Sequence, residues 1–295
     1  MVLESLKNYR WCVRPNRFDA SKPGWTLDLR DPKTIQAQLP VWEWFYRYYF
    51  RVQTSGWQHV PKQGPTLVVG SHNGGMAAPD LHMFLYSWFQ HFGTERLAYG
   101  LLHPGMWKGF AALNPEMNQL FARMGAVVAH PKMAIAALRA EASVLVFPGG
   151  AQDVFRPHCD RNKIHFAGRM GFIKLALREQ VPIVPVISHG AHDTLFVLTD
   201  IYDRVRQLHD WGMPWFLGID PTVFPIYLGL PWGVGLGPLM NIPLPAQIHI
   251  RVCPPIYFDR YGPEAARDRT YVAACYQTVQ TKMQQALDEL VAECE

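Results

Sequence analysis

From about residue 60 onward, short β-favouring apolar runs alternate with stretches of helical periodicity, and no other property of the chain restricts its fold as strongly. The runs are Thr66–Gly70, Leu97–Gly100, Ala126–Ala129, Val144–Phe147, Ile183–Ile187 and Ile248–Cys253, with helical stretches near 80–91, 131–141 and 169–179. Alternation of this kind predicts an α/β sheet with parallel pairs. A last helix is predicted over Pro263–Glu293, where Val272, Cys275, Val279, Met283, Ala286 and Leu290 recur at spacings of three and four. It should pack on the sheet.

Two predicted strand ends carry the candidate chemistry. The run Thr66–Gly70 delivers Ser71-His72-Asn73-Gly74-Gly75, and Pro79-Asp80 then opens a helix. A histidine at the carboxyl end of a strand stands where open α/β sheets place their ligands. A neutral imidazole there can take a proton from an alcohol, and a carboxylate on its other nitrogen would fix the tautomer. Asp80 reads either as that carboxylate or as an acid favoured by the helix N-terminus. The second strand end, Val144–Phe147, runs into Pro148-Gly149-Gly150-Ala151-Gln152-Asp153. Its glycine N–H groups can approach an anion or a developing oxyanion, or simply make a turn. Arg156, Arg161, Lys163, Arg169 and Lys174 follow closely. Together they suit phosphates of a nucleotide-like cofactor or a lipid headgroup; singly each reads as solvated charge. A competing group is His189, His192 and Asp193, readable as metal ligands, with His72 as a third nitrogen, or as hydrogen-bonding turn residues.

Apolar content is 49% and charged content only 18%, against a typical charged share of about 25%, so some apolar surface is expected to meet lipid. The net charge of +4 does not argue for nucleic acid. Pro221 to Ile250 holds no Asp, Glu, Lys or Arg, but its six prolines rule out a continuous membrane helix and favour a short strand and an apolar loop. Residues 42–50 place seven aromatics in nine positions, with Glu43, Arg47 and Arg51 spaced four apart. Aromatics nearly all round a helix suit a membrane interface; a helix packed on the core is the alternative. Residues 1–59 are accordingly expected to form a helical membrane-interface segment and 60–295 the α/β domain. Five scattered cysteines, Cys12, Cys159, Cys253, Cys275 and Cys294, suggest neither a disulfide framework nor a zinc knuckle, and point to a reducing compartment. The first residues, with Glu4, Lys7 and Arg10, do not resemble a secretory signal.

Four ordered blocks, Ser71–Gly75, Phe147–Pro157, Arg161–Leu177 and Val181–Val186, resemble the lysophospholipid acyltransferase superfamily, most of all its branch of monoacylglycerol and diacylglycerol acyltransferases. The similarity spans about residues 60–255. It implies a mixed, largely parallel sheet flanked by helices, with a membrane-facing apolar entrance that the aromatic N-terminal helix would suit. It also implies His72 as the base that deprotonates a lipid hydroxyl for attack on the thioester of acyl-CoA or acyl carrier protein. Asp80 would be its partner, and Asn73, Gly74, Gly75, Pro148, Gly149, Gly150, Gln152, Asp153, Arg156, Lys163 and Arg169 would line the substrates. Acyl-CoA is then a co-substrate, with no metal and no permanently bound cofactor expected. The location implied is peripheral, on the cytoplasmic face of a membrane.

Two positions depart from the superfamily pattern. The usual acid, which follows the histidine after four intervening residues, is replaced by Ala77, the nearest acid being Asp80 after seven, and a block that commonly reads Pro-Glu-Gly-Thr-Arg reads Pro-Gly-Gly-Ala-Gln. Loss of that arginine favours a neutral acceptor, such as mono- or diacylglycerol or a long-chain alcohol, over a lysophospholipid. The rival readings are a metal-dependent lipid hydrolase built on His189, His192 and Asp193, and a lipid-binding protein that lost turnover with Ala77.

Overall fold

Every residue of Thr66–Gly70 is buried, as a strand covered on both faces requires, and the rest of the molecule is arranged around it. The computed structural model describes residues 22–215 and 220–294. Expectations for residues 1–21, Cys12 included, lie outside the described residues. In chain order the first half contains α1 (Pro32–Trp44), β1 (Gln53–Ser55), β2 (Thr66–Gly70), α2 (Pro79–Phe92), β3 (Ala98–Leu102), α3 (Pro104–Leu113), α4 (Pro115–Arg123), β4 (Ala126–Val128), α5 (Pro131–Arg139) and β5 (Ser143–Val146). The second half contains α6 (Gly150–Val154), α7 (Gly171–Glu179), β6 (Ile183–His189), β7 (Phe196–Asp200), α8 (Tyr202–Asp210), β8 (Pro225–Gly229), β9 (Gly233–Leu236), β10 (His249–Val252), α9 (Pro263–Arg267) and α10 (Arg269–Cys294). Helices α1, α2, α4, α5 and α9 open on proline, whose missing N–H costs nothing at that position.

Seven strands form one mixed sheet in the order β1-β10-β6-β2-β5-β3-β4. From β6 to β4 all neighbours are parallel; β10 runs antiparallel to β6, and β1 pairs parallel with β10. The strand period of two splits β2 between two cores. Leu67 and Val69 pack with α5, α7 and α10 on one face, where Val272, Cys275, Val279, Met283 and Leu290 are buried as their spacing predicts. Val68 faces Leu145, Val184 and the aromatic side of α1 and α2. The expected α/β architecture is thus present, as are all six predicted strands.

Four local expectations differ. The final helix breaks at Asp268 into α9 and α10, with Asp268 Oδ1 accepting from the Tyr271 N–H as the second begins. Residues 221–250 form two strands, β8 and β9, and complete a second, antiparallel sheet in the order β7-β8-β9. Gly235 makes that possible, since a Cβ there would stand 2.1 Å from the buried Tyr227 ring. Helices α3, α4 and α8 lie outside the predicted helical stretches; α8 buries no residue at all.

The aromatic segment is also more divided than its composition suggests. It spans the end of α1 and a π-helical turn, Phe45–Tyr49. Trp42 stacks on Phe89, Tyr46 meets Tyr86 and Phe50 is buried, so these rings serve the core, whereas Trp44 (51%) and Tyr48 (68%) stay exposed. Glu43 and Arg47 pair at 2.8 Å, but Arg51 lies past the helix with φ 44° and leaves the predicted stripe. The division at 59/60 falls inside this body, because β1 belongs to the main sheet. No helix among the described residues is long and apolar enough to cross a membrane.

Candidate active site

Because β6, β2 and β5 are adjacent and parallel, with Val69 opposite Val146 and Gly70 opposite Val186, their carboxyl ends open side by side. The loops after β2 and β5, carrying His72 and Phe147-Pro148-Gly149, meet there beside Ser188 near the end of β6. His72 is 18% exposed. Its ring stacks on Phe147 with centroids 4.4 Å apart, and Gly70 is glycine because a Cβ would strike that same phenyl ring.

Asp80 stands behind His72. Its Oδ1 is 3.3 Å from His72 Nδ1, within ion-pair distance, and the buried Nδ1 has no hydrogen-bond partner. Asp80 is buried and held on both oxygens, by the Leu81 N–H at 2.8 Å and by Asn73 Nδ2 at 3.2 Å. Seven intervening residues separate the two groups, and backbone conformation absorbs the excess. Gly74 and Gly75 adopt φ 81° and 70°, Gly75–Ala77 forms a 3-10 turn, and Asp80 in the first turn of α2 faces back toward the strand end. The sequence departure at Ala77 therefore leaves a carboxylate beside the imidazole.

Most of the other residues expected to line the substrates are bonded to protein groups. Asp153 is fully buried and accepts from Ser71 Oγ, the His72 N–H and Arg156 Nη1. Burial pushes its carboxyl up, opposed by Arg156 and the His72 N–H. Arg156, also buried, donates to His72 O at 2.8 Å, to Asn73 Oδ1, and to the Asp160 and Arg161 carbonyls. Asn73 is spent on Asp80, Ser71 O and Ser188 Oγ. All three are buried, and Asp153 and Arg156 brace the His72 backbone.

The glycines follow the same pattern. Gly74 and Gly75 are buried; a Cβ on Gly74 would meet Thr194, and one on Gly75 would meet Leu195 and Asn241. Pro148 and Gly149 are buried too, and the Gly150 N–H closes a turn on Phe147 O at 3.3 Å instead of pointing outward. Arg169 is bound to the carbonyls of Pro148 and Gly149 and to Gln152 Oε1. Lys163 is exposed and pairs with Asp160 at 2.6 Å, which raises its amine above the usual range. Gln152 remains at the surface.

The alternative metal trio is not assembled. His192 Nε2 donates to Arg156 O at 2.8 Å, and burial pushes its pKa down to about 3. Asp193 pairs with His158 at 2.9 Å, and His189 lies across from His249 in the sheet. Among the described residues no cluster of three or more His, Cys, Asp or Glu is placed to hold a metal ion.

Sequence reasoning missed Ser71, Phe147, Ser188 and Asn241 as members of this site. The first three adjoin singled-out residues, so adjacency was a usable signal. Asn241 had none: it is buried between exposed apolar neighbours, accepts from the Ala77 N–H at 3.2 Å and donates to Gly74 O at 3.1 Å.

Comparison with known proteins bears on this arrangement. The profile described as diacylglycerol acyltransferase matches residues 33–262. An uncharacterized protein of Mycobacterium leprae is 29% identical over 89% of this chain and 66% of its own length. Diacylglycerol O-acyltransferase 2B of Umbelopsis ramanniana is 23% identical over 65% of this chain and 54% of its own length. The chain thus spans at most about two thirds of the curated relatives it matches. Among solved structures, the 1-acyl-sn-glycerophosphate acyltransferase PlsC of Thermotoga maritima aligns over 90% of this chain and 80% of that one, at a TM-score of 0.49 and 15% identity, too loose a likeness to carry an argument.

Proposed function

The chain belongs to the diacylglycerol acyltransferase family, and from that premise we propose that it transfers a fatty acyl group from a thioester, acyl-CoA or acyl carrier protein, to a lipid hydroxyl at a membrane surface. The observation that carries the reading is the pairing of a partly exposed His72 with the buried carboxylate of Asp80 at 3.3 Å. His72 takes the acceptor's hydroxyl proton as the oxygen attacks the thioester carbonyl. The tetrahedral intermediate then collapses, the C–S bond breaks, and the proton passes from the imidazolium to the departing thiolate. Asp80 stabilises the imidazolium between the two steps. Phe147 fixes the ring plane, and the braces from Asp153 and Arg156 fix its backbone, so positioning contributes alongside proton transfer.

A neutral acceptor is favoured. The Pro-Gly-Gly-Ala-Gln block offers no arginine, Arg156 and Arg169 are occupied by protein oxygens, and Lys163 is neutralised by Asp160. Diacylglycerol or a long-chain alcohol meets those conditions better than a glycerol phosphate, whose dianion needs a free cation.

The test is release of free CoA from acyl-CoA with diacylglycerol, a long-chain alcohol and a lysophosphatidic acid as acceptors. Wild-type protein should favour the neutral acceptors, and His72→Ala should lose on the order of 10²–10⁴-fold in rate with an unchanged circular dichroism spectrum. Retained transfer in His72→Ala overturns the mechanism, and preference for the phosphate acceptor overturns the acceptor class.

A further inference from the structure

The three-stranded sheet has one face buried and one bare. Val197, Tyr227 and Gly235 point inward, where Tyr227 and Val197 pack with Phe155 and Leu195. On the outer face Phe196 lies opposite Leu228, and Leu228 opposite Val234. These side chains are exposed, Val234 at 62%, although each would gain by leaving water. The hairpin beyond β9 extends the same character through Leu230, Trp232, Met240 and Ile242, held together by Trp232 Nε1 on Met240 O and the Ile242 N–H on Leu230 O.

A second region of the chain joins this surface. Tyr49 OH donates to Pro243 O at 2.7 Å, and Tyr49 contacts the exposed Trp44 ring. The bare aromatics of the N-terminal helix and the bare sheet face are therefore neighbours, although the bonded pair stand 194 positions apart in sequence. We infer that together they form one docking surface for a lipid bilayer.

Three observations favour lipid over a second copy of the chain. Pro221–Ile250 contains no charged residue, so this stretch lacks the charged groups that would set partner and register in a protein interface. The exposed Trp232 of this stretch and Trp44 of the N-terminal helix are amphipathic rings of the kind favoured at the headgroup level. The surface is also tied to the His72 loop by Asn241, which sits between exposed Met240 and Ile242 and binds the backbone at Gly74 and Ala77. Docking would place that loop at the phase in which a lipid acceptor is dissolved. The choice of lipid rests on the acyl-transfer reading; the location rests on the geometry.

Flotation of the purified full chain with phosphatidylcholine vesicles tests this without turnover. Wild type and His72→Ala should float alike. Leu228→Thr/Val234→Asp/Leu236→Thr changes only outward positions, keeps β-compatible residues at two of them, and should bind at least tenfold less with an unchanged unfolding midpoint. Tyr257→Asp replaces an exposed aromatic beside Ile256, which pairs with the opposite end of β6, and should float as wild type. Undiminished flotation of the triple variant overturns the inference. So does a wild-type protein that ignores vesicles and forms dimers that the triple variant dissociates. A wild-type protein that does not float yet transfers to detergent-dispersed acceptor counts against the docking surface alone; a wild-type protein that floats without transfer counts against the acyl-transfer reading alone.

Discussion

The two sheets use the same kinds of residue to opposite ends. In β2 the sequence Thr-Leu-Val-Val-Gly is buried throughout, because helices cover both faces of the large sheet. In β8 and β9 Tyr227 and Gly235 are buried while Leu228, Val234 and Leu236 face outward. The difference lies in how many faces are covered, not in composition. An apolar residue that folding explains in the large sheet is left unexplained by folding in the small one, which is why the latter points to something outside the chain.

The large sheet and its strand-end loops should be the more sensitive part. Asp153→Ala would leave Arg156 buried without its carboxylate and strip partners from Ser71 Oγ and the His72 N–H. A loss of roughly 3–5 kcal/mol is expected in urea unfolding. A loss below about 1 kcal/mol would mean that the backbone carbonyls around Arg156 suffice and that Asp153 is not its counter-charge.

A matched pair of leucines sharpens the contrast. Leu67→Ala in β2 should cost about 2–5 kcal/mol through lost burial and a residual cavity. Leu228→Ala on the bare face of β8 should stay within about 0.5 kcal/mol in the absence of lipid. Equal costs would show that the outer face is covered in solution, and the comparison would collapse.

What was legible in the sequence follows the same division. Strands covered on both faces, such as β2, read as continuous apolar runs, and β10 as an alternation of Ile250 and Val252 with more polar positions; α10 has one buried stripe and the matching period. β8 and β9 alternate buried with exposed apolar side chains and contain three glycines, a pattern without polar contrast, so they passed for strand and loop. At the site, His72 and Asp80 were recognisable because each is set by its own strand end or helix start. The bonding of Asp153, Arg156 and the glycines was not legible, because a sequence shows a polar group but not what satisfies it. Only the fold reveals that Arg156 is consumed by residues 72, 73, 153, 160 and 161.

The junction between the sheets supplies the finest test of whether they act as one body. His192 lies on the short turn from β6 to β7, its Nε2–H donated to Arg156 O, and burial holds its pKa near 3 against 6.5 for the ordinary side chain. The unfolded chain therefore takes up the proton first as pH falls. Stability is complete above about pH 6.5 and declines by about 1.4 kcal/mol per pH unit below it, roughly 2 kcal/mol by pH 5, until the folded state is protonated near pH 3. His192→Gln keeps a donor toward Arg156 O and removes the titration. Its unfolding midpoint should fall less than that of wild type between pH 7.5 and pH 5, the difference between the two isolating this one group. Parallel slopes would mean that the junction opens to admit a charged imidazole, and that the small sheet can loosen from the large one before either unfolds.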